Sequence, residues 1–152
     1  MIKILFVCLG NICRSPMAEF IMKDLIKKEG LEDKIYIESA ATSDEEHGNP
    51  VYPPARQMLE SHGISCKGKY ARQMTKEDYD SFDLLIGMDE SNIRNMKRIC
   101  NGRDEKIHLL LDICGEHRGV ADPWYTGNFL STWDDCNKGC RALLEKIKKN
   151  MA

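Results

Sequence analysis

The sequence lacks the features typical of nucleic-acid-binding, membrane and repeat proteins. Neither charge is in excess, since 22 lysines and arginines face 24 aspartates and glutamates among 152 residues. The opening apolar run carries one lysine and stops at Cys8, which is too short for a signal peptide or a membrane span. There is no internal repeat and no low-complexity stretch. We therefore expect one domain over residues 1–152 with no nucleic-acid and no membrane partner.

Disulfide and metal patterns are also missing, although the chain has seven cysteines. An odd number of cysteines, in apolar runs as well as loops, argues against a secreted disulfide scaffold and favours a reducing, cytoplasmic compartment. There is no C-x2-C pair, and the spacing of Cys136 and Cys140 on the last predicted helix is typical of packing residues. The sequence thus predicts no metal and no cofactor.

Strand-like and helix-like segments alternate along the chain, which predicts an α/β fold. The apolar run 2–7 is typical of a central parallel strand, and Ser15 can cap a helix that has Pro16 at its first position and ends at Gly30. The other predicted segments are strands 34–40, 83–88 and 106–111, helices 53–62, 90–98 and 129–149, and loops 41–52 and 112–127. Such alternation implies a parallel sheet with helices on both faces. Its ligand site should lie at the carboxyl ends of the strands, where Cys8 is found.

The stretch VCLGNICRSPMAEF, residues 7–20, joins the first strand to the first helix and places Arg14 six residues after Cys8. The loop between them leaves several N–H groups without carbonyl partners, and together with the helix dipole these groups form a site for a dianion. Gly10 and Asn11 allow the loop to curl, and Arg14 can hold two phosphate oxygens at once. The positive surroundings favour the thiolate of Cys8 and place a nucleophile at the floor of an anion site.

Other phosphate-binding motifs are absent from the sequence. Neither G-x-x-x-x-G-K-[ST] nor G-x-G-x-x-G occurs, so nucleoside triphosphates and dinucleotides are not favoured, and we predict attack of sulfur on phosphorus. Such attack on a phosphate monoester requires a proton for the departing oxygen, and Asp122, in the loop after the last strand, is the best candidate donor. Pro123 stiffens this loop, and Trp124 and Tyr125 offer aromatic walls suited to an aryl phosphate.

Several separated segments resemble the low-molecular-weight protein tyrosine phosphatases. They are CLGNICRSPMAEF at 8–20, SAAT at 39–42, HGI at 62–64, ARQ at 71–73, DLLIGMD at 83–89 and DPWY at 122–125. The similarity runs along nearly the whole chain and keeps the family's order of signatures. It implies the family's three-layer sandwich around a four-stranded parallel sheet with strand order 2-1-3-4, the phosphotyrosine phosphatase I-like fold.

Carried to matching positions, the resemblance implies that Cys8 is the nucleophile that forms a phosphocysteine and that Arg14 binds the phosphoryl group. Asp122 would be the general acid and later the general base. Ser15 would donate a hydrogen bond to the Cys8 sulfur. The network that holds the loop in shape would consist of Asn11, Ser15, Ser39 and His62. The expected substrate-binding residues are Leu9, Gly10, Asn11, Ile12, Cys13, Ser15, Trp124 and Tyr125.

Cys13 has two interpretations. In the family, a cysteine at this position can form a disulfide with the nucleophile, and a reactive thiolate beside a second thiol is the arrangement that a reversible redox switch needs. Alternatively, Cys13 is simply a residue small enough to fit the loop. The sequence leaves both open.

The sequence therefore predicts a cytoplasmic, metal-independent phosphatase for phosphotyrosine proteins, expected to be a monomer capable of weak self-association. Three alternatives compete with it. An arsenate reductase of the same fold needs resolving cysteines near the middle of the chain, and residues 67–99 contain none. A protein-arginine phosphatase is a closer rival, although those relatives carry Thr where this chain has Ile12. A phosphotyrosine-binding module that has lost catalysis would not need Asp122.

Overall fold

The computed structural model describes residues 1–151 and contains four strands, six α-helices and one 3-10 helix. The strands are β1 (Ile2–Cys8), β2 (Ile35–Ala41), β3 (Leu84–Gly87) and β4 (Ile107–Leu109). The α-helices are α1 (Arg14–Lys28), α2 (Pro53–Ser61), α3 (Lys76–Ser81), α4 (Glu90–Ile99), α5 (Pro123–Thr126) and α6 (Phe129–Met151), and the 3-10 helix is Leu110–Cys114. Within residues 1–151, no helix has the length and apolar character that crossing a membrane would need.

The four strands form one parallel sheet in the order β2-β1-β3-β4, which confirms the predicted fold and strand order. Along the β1–β2 pair, Ile2 lies opposite Ile35 and Cys8 lies opposite Ala41. Because helices pack on both faces of the sheet, the apolar side chains of β1 are covered on either side and the strand is a continuous hydrophobic run. Cys8, the last residue of β1, therefore lies at the carboxyl edge of the sheet.

Helices cover both faces of the sheet, so the molecule has three layers. Successive side chains of β1 point to opposite faces. Ile4 and Phe6 belong to the core that also holds the apolar residues of α1, α2 and α6. Leu5 and Val7 belong to a second core with those of α3 and α4. These four side chains are fully buried, and burial of a side chain of this size contributes about 1.5–3 kcal/mol.

The helix α3 lies in a stretch for which the sequence predicts no element. It begins after Thr75, whose backbone N–H donates to the Asp78 carboxylate at 2.8 Å in a capping box. The T-x-x-D pattern at 75–78 is the sequence signal for such a capping box. With six polar or half-polar residues, however, the helix is too short to show an apolar stripe.

The end of the last strand also differs from the prediction of 106–111. Leu110 and Leu111 extend the apolar run, but they leave the sheet and form the 3-10 helix that packs against α6. A β-carbon at Gly139 of α6 would lie 2.5 Å from Leu110 Cγ, so glycine is what permits this close approach. The predicted loop 112–127 thus contains part of the 3-10 helix and the short helix α5, which begins at Pro123.

Candidate active site

The loop between β1 and α1 wraps around the sulfur of Cys8. The backbone N–H groups of Asn11 and Ser15 donate to Cys8 Sγ at 3.3 Å and 3.4 Å, and Ser15 Oγ lies 3.0 Å from the same sulfur. Cys8 is buried at the floor of a cavity whose wall on this side is formed by Leu9, Gly10, Ile12, Cys13 and Arg14. Amide hydrogens directed at one point stabilise negative charge there.

Asn11 sets the shape of this loop. It is buried and has φ of +60°, a left-handed conformation that asparagine tolerates better than most residues. Its side-chain oxygen accepts from the backbone N–H of Arg72 at 3.2 Å, which fixes the orientation of the amide. Its Nδ2 then donates to Ser15 Oγ at 2.8 Å and to Ser39 Oγ at 2.9 Å. The predicted contacts among these three side chains are therefore present.

These hydrogen bonds determine which way the Ser15 hydroxyl points. A hydroxyl has one proton, and Ser15 Oγ already accepts from Asn11. Its own proton therefore points to the nearer acceptor, Cys8 Sγ at 3.0 Å, rather than to the carbonyl of Ala40 at 3.4 Å. Ser15 also stands inside the first turn of α1. The prediction that it is the helix cap is thus wrong, because Cys13 occupies the N-cap and its side chain makes no capping bond.

A buried ion pair anchors the far end of the network. Ser39 donates its hydroxyl proton to Glu19, a residue of α1 that is only 3% exposed. Lys69 Nζ lies 3.3 Å from Glu19 Oε1 and donates to the Ser39 carbonyl at 2.8 Å. Burial lowers the pKa of the Lys69 ammonium, and the charge of Glu19 opposes that effect. Glu19 and Lys69 are network members that the sequence prediction missed.

His62 does not take the place that the resemblance assigned to it. Its ring stacks on Trp133, with centroids 3.7 Å apart and planes 11° apart, and its Nδ1 lies 3.0 Å from the carbonyl oxygen of Met58. The prediction that His62 belongs to the network is wrong, because the residue closes the end of α2 and its ring packs against α6. Lys69 provides the basic group at the network instead.

Arg14 lies at the centre of the site with its guanidinium buried. Its Nη1 donates to Asp89 Oδ2 at 2.7 Å and to the Val120 carbonyl at 3.0 Å, and its Nη2 is 3.5 Å from Asp122 Oδ2. Burial acts to lower the pKa of Arg14, but the negative charges of Cys8, Asp89 and Asp122 outweigh it and raise the pKa. The site therefore holds a fixed positive charge beside the Cys8 sulfur.

Asp89 is a site residue that the sequence prediction missed. It follows β3 at the carboxyl edge of the sheet and caps α4, where it accepts from the Asn92 N–H at 2.8 Å. A β-carbon at position 119 would lie 2.8 Å from Asp89 Cβ, so Gly119 allows the loop after β4 to pass close by. The sequence signal was the strand followed by an N-cap aspartate at the same sheet edge.

Asp122 reaches the cavity from the loop that follows β4. It caps α5, where its Oδ1 accepts from the Trp124 N–H at 3.0 Å, and its side chain stays 22% exposed. Trp124 and Tyr125 line the same cavity and are largely exposed. The structure thus brings Cys8, Arg14 and Asp122 to one cavity with an aromatic wall on the Asp122 side.

Two acidic residues, Glu45 and Glu46, also line this cavity, together with Ser43, and are called the acidic rim. Glu46 accepts from Asn49 Nδ2 at 2.6 Å, and Glu45 is exposed. Cys13, another lining residue, is buried, and burial, followed by the charges of Cys8 and Asp122, raises the pKa of its thiol to about 12. Within residues 1–151, no group of three or more His, Cys, Asp or Glu side chains is placed to hold a metal ion.

Comparison with known proteins gives consistent matches along the chain. The model of the family described as low molecular weight phosphotyrosine protein phosphatase matches residues 3–152. The low molecular weight protein-tyrosine-phosphatase YfkJ of Bacillus subtilis is 43% identical, over 98% of this chain and 97% of that protein. The crystal structure of YfkJ matches with a TM-score of 0.97 and 42% identity, covering 100% of this chain and 98% of that one. A drosophila arginine phosphatase, DARP, matches with a TM-score of 0.88 and 28% identity, covering 97% and 98% of the two chains.

Proposed function

The chain belongs to the low molecular weight phosphotyrosine protein phosphatase family, and we propose that it hydrolyses phosphotyrosine in proteins through a phosphocysteine on Cys8. The observation that carries the proposal is the meeting of Cys8, Arg14 and Asp122 in one cavity. Thiolate, guanidinium and carboxyl group are the nucleophile, anion clamp and proton donor that phosphoryl transfer to sulfur requires.

In the first step, the substrate's phosphate binds between the loop N–H groups and the Arg14 guanidinium. Cys8 Sγ attacks phosphorus and forms the S–P bond while the bond from phosphorus to the phenolic oxygen breaks. Asp122, in its protonated form, gives its proton to that oxygen, so the leaving group departs as neutral tyrosine. Arg14 and the loop amides stabilise the charge that develops on the three remaining phosphate oxygens.

In the second step, the Asp122 carboxylate takes a proton from a water molecule whose oxygen attacks phosphorus. The S–P bond breaks, inorganic phosphate forms, and the electron pair returns to Cys8 Sγ. Ser15 then matters most, because its hydroxyl proton points to the sulfur and stabilises the thiolate as a leaving group. The chain of hydrogen bonds from Glu19 through Ser39 and Asn11 keeps that proton in place.

An aryl ester suits this cavity better than the alternatives do. Trp124 and Tyr125 offer ring faces beside Asp122, and Ile12 adds an apolar contact where the arginine phosphatases carry a threonine. The arginine phosphatase DARP shares the fold at 28% identity, whereas YfkJ, at 43%, is named a protein-tyrosine-phosphatase. These comparisons favour phosphotyrosine over phosphoarginine and over arsenate.

The composition of the chain also bears on its location and partners. We infer a reducing, cytoplasmic location, because all seven cysteines are free thiols. The near balance of charges supports neither a nucleic-acid nor a membrane partner. We further propose that residues 1–152 form one catalytic domain that works as a monomer and can self-associate weakly, with phosphotyrosine proteins as its partners.

The catalytic roles predict distinct losses for two variants on p-nitrophenyl phosphate with EDTA present. Cys8→Ser should abolish turnover, because the weakly acidic hydroxyl is a poor nucleophile and leaving group. Asp122→Asn should lower kcat/KM by about 10²- to 10⁴-fold, and more for poorer leaving groups, because the general acid is gone while asparagine still caps α5. Asp134→Asn, at an exposed position of α6, is the control. Turnover that survives Cys8→Ser, or that requires an added metal, would contradict the proposal.

We also propose that Cys13 protects the nucleophile from irreversible oxidation. Peroxide oxidises the Cys8 thiolate to a sulfenic acid, and the Cys13 thiol then displaces water to give a Cys8–Cys13 disulfide that external thiols reduce. Cys13→Ser should keep most of its turnover but recover much less activity when dithiothreitol follows hydrogen peroxide. Peptide mass mapping of the oxidised wild type should find the disulfide. Recovery equal to that of the wild type would rule out the switch.

The acidic rim predicts a preference among phosphopeptides. Glu45 and Glu46 repel acidic side chains next to the phosphotyrosine and attract basic ones, each by the small energy of an exposed charge pair. We expect kcat/KM to be about two- to tenfold higher for peptides flanked by lysine than by glutamate, less so at high salt. The double variant Glu45→Gln/Glu46→Gln should reduce the preference, and Glu105→Gln, at the opposite edge of the sheet, should retain it. Equal turnover of both peptide classes by the wild type would refute the preference.

A further inference from the structure

Tyr52 connects two of the loops that build the cavity, although it does not line the cavity itself. Its backbone N–H donates to the carbonyl of Ile12 in the loop that surrounds Cys8, at 2.9 Å. Its ring packs against the ring of Trp124, with centroids 4.9 Å apart and planes inclined at 54°. One residue thus touches the phosphate-binding loop with its backbone and the Asp122 loop with its side chain.

The local structure around Tyr52 does not by itself call for a tyrosine. Tyr52 is the N-cap of α2, a position where Ser, Thr, Asp or Asn would satisfy a free N–H, and its side chain makes no capping bond. Pro53 and Pro54 already fix the entry of the chain into the helix. The ring is held from a second side by Phe129, with centroids 6.0 Å apart. A half-buried ring held in this way offers Trp124 a rigid support.

Trp124 needs such a support, because 54% of its surface is exposed and the Tyr52 pair is its one aromatic contact within residues 1–151. The backbone N–H of Trp124 also binds the Asp122 carboxylate. Movement of Trp124 would therefore change both the wall that faces the substrate and the hydrogen bond of the proposed general acid.

We propose that Tyr52 is a positioning residue that holds the Trp124 ring as one wall of a slot for the substrate's aromatic ring. The proposal rests on the function proposed above and adds a determinant of aryl recognition outside the cavity. It assigns to Tyr52 a role in binding the aryl group and none in binding the phosphoryl group. Binding of the aryl group and binding of the phosphoryl group can be measured separately.

The kinetic test compares Tyr52→Leu with Tyr52→Phe. Tyr52→Leu removes the ring but keeps the backbone N–H that binds Ile12, so KM for a phosphotyrosine peptide should rise about 2- to 12-fold, the range expected for loss of one aromatic pair. The inhibition constant of inorganic phosphate should stay within about twofold of the wild-type value. Tyr52→Phe keeps the ring and should restore the KM.

A spectroscopic test follows Trp124 directly. The chain has two tryptophans, so Trp133→Phe leaves Trp124 as the single probe. In that background, Tyr52→Leu should shift the Trp124 emission to the red and lower its anisotropy, because the ring loses its packing partner. Tyr52→Phe should leave both unchanged relative to the same background.

Several results would overturn the positioning role. These are unchanged Trp124 emission in Tyr52→Leu, a loss confined to kcat, and a rise in the phosphate inhibition constant that matches the rise in KM. A Tyr52→Phe variant as impaired as Tyr52→Leu would overturn it as well. If the wild type did not hydrolyse aryl phosphates at all, the proposed function itself would fail, and this outcome is distinct from a failure of Tyr52→Leu to differ from an active wild type.

Discussion

The site depends on one local arrangement, in which the sulfur of Cys8 accepts hydrogen bonds from two backbone N–H groups and from the hydroxyl of Ser15. Backbone donors are fixed by the fold and need no reorganisation when charge develops on the sulfur. The left-handed Asn11 bends the loop so that these donors converge. Ser39 donates its proton to Glu19, and the amide of Asn11 donates to both Ser39 and Ser15, so the Ser15 proton remains directed at the sulfur. A substitution of Glu19, at the far end of this network, would therefore alter the hydrogen bonding of the Cys8 sulfur although Glu19 does not contact it.

Arg14 adds a second constraint, because a buried guanidinium must be paired. Asp89 follows β3, and Asp122 and the Val120 carbonyl follow β4, so the carboxyl edge of the parallel sheet supplies every partner. The same contacts orient the guanidinium toward the Cys8 loop and hold the Asp122 loop close. Gly119 makes this packing possible, because a β-carbon there would lie 2.8 Å from Asp89 Cβ. The fold and the chemistry of the site are therefore set by the same interactions.

Local patterns in the sequence were enough to predict the α/β class and to single out the three residues of the proposed mechanism, whereas the strand order was predicted from the family resemblance. Cys8 and Arg14 follow an apolar strand and precede a helix, and Asp122 precedes a proline after the last strand, so each carries its own signal. Partners distant in sequence carry no such signal. Lys69 reaches Glu19 across 50 residues, Asp89 reaches Arg14 across 75, and the register that brings them together is a tertiary property. The prediction that His62 belongs to the network failed for this reason. A resemblance over the three residues HGI does not show whether the histidine ring points toward the Cys8 loop or away from it.

Cys8, held by its hydrogen-bond donors beside Arg14, is on this view the reactive thiol of the chain and lies where the phosphoryl group binds. Carboxymethylation by iodoacetate at pH 7, followed for all seven cysteines by peptide mass mapping, tests this most directly. We expect Cys8 to react first, and inorganic phosphate to slow its reaction by occupying the same site. A Cys8 that reacts no faster than the other six cysteines, or at a rate that phosphate leaves unchanged, would contradict it.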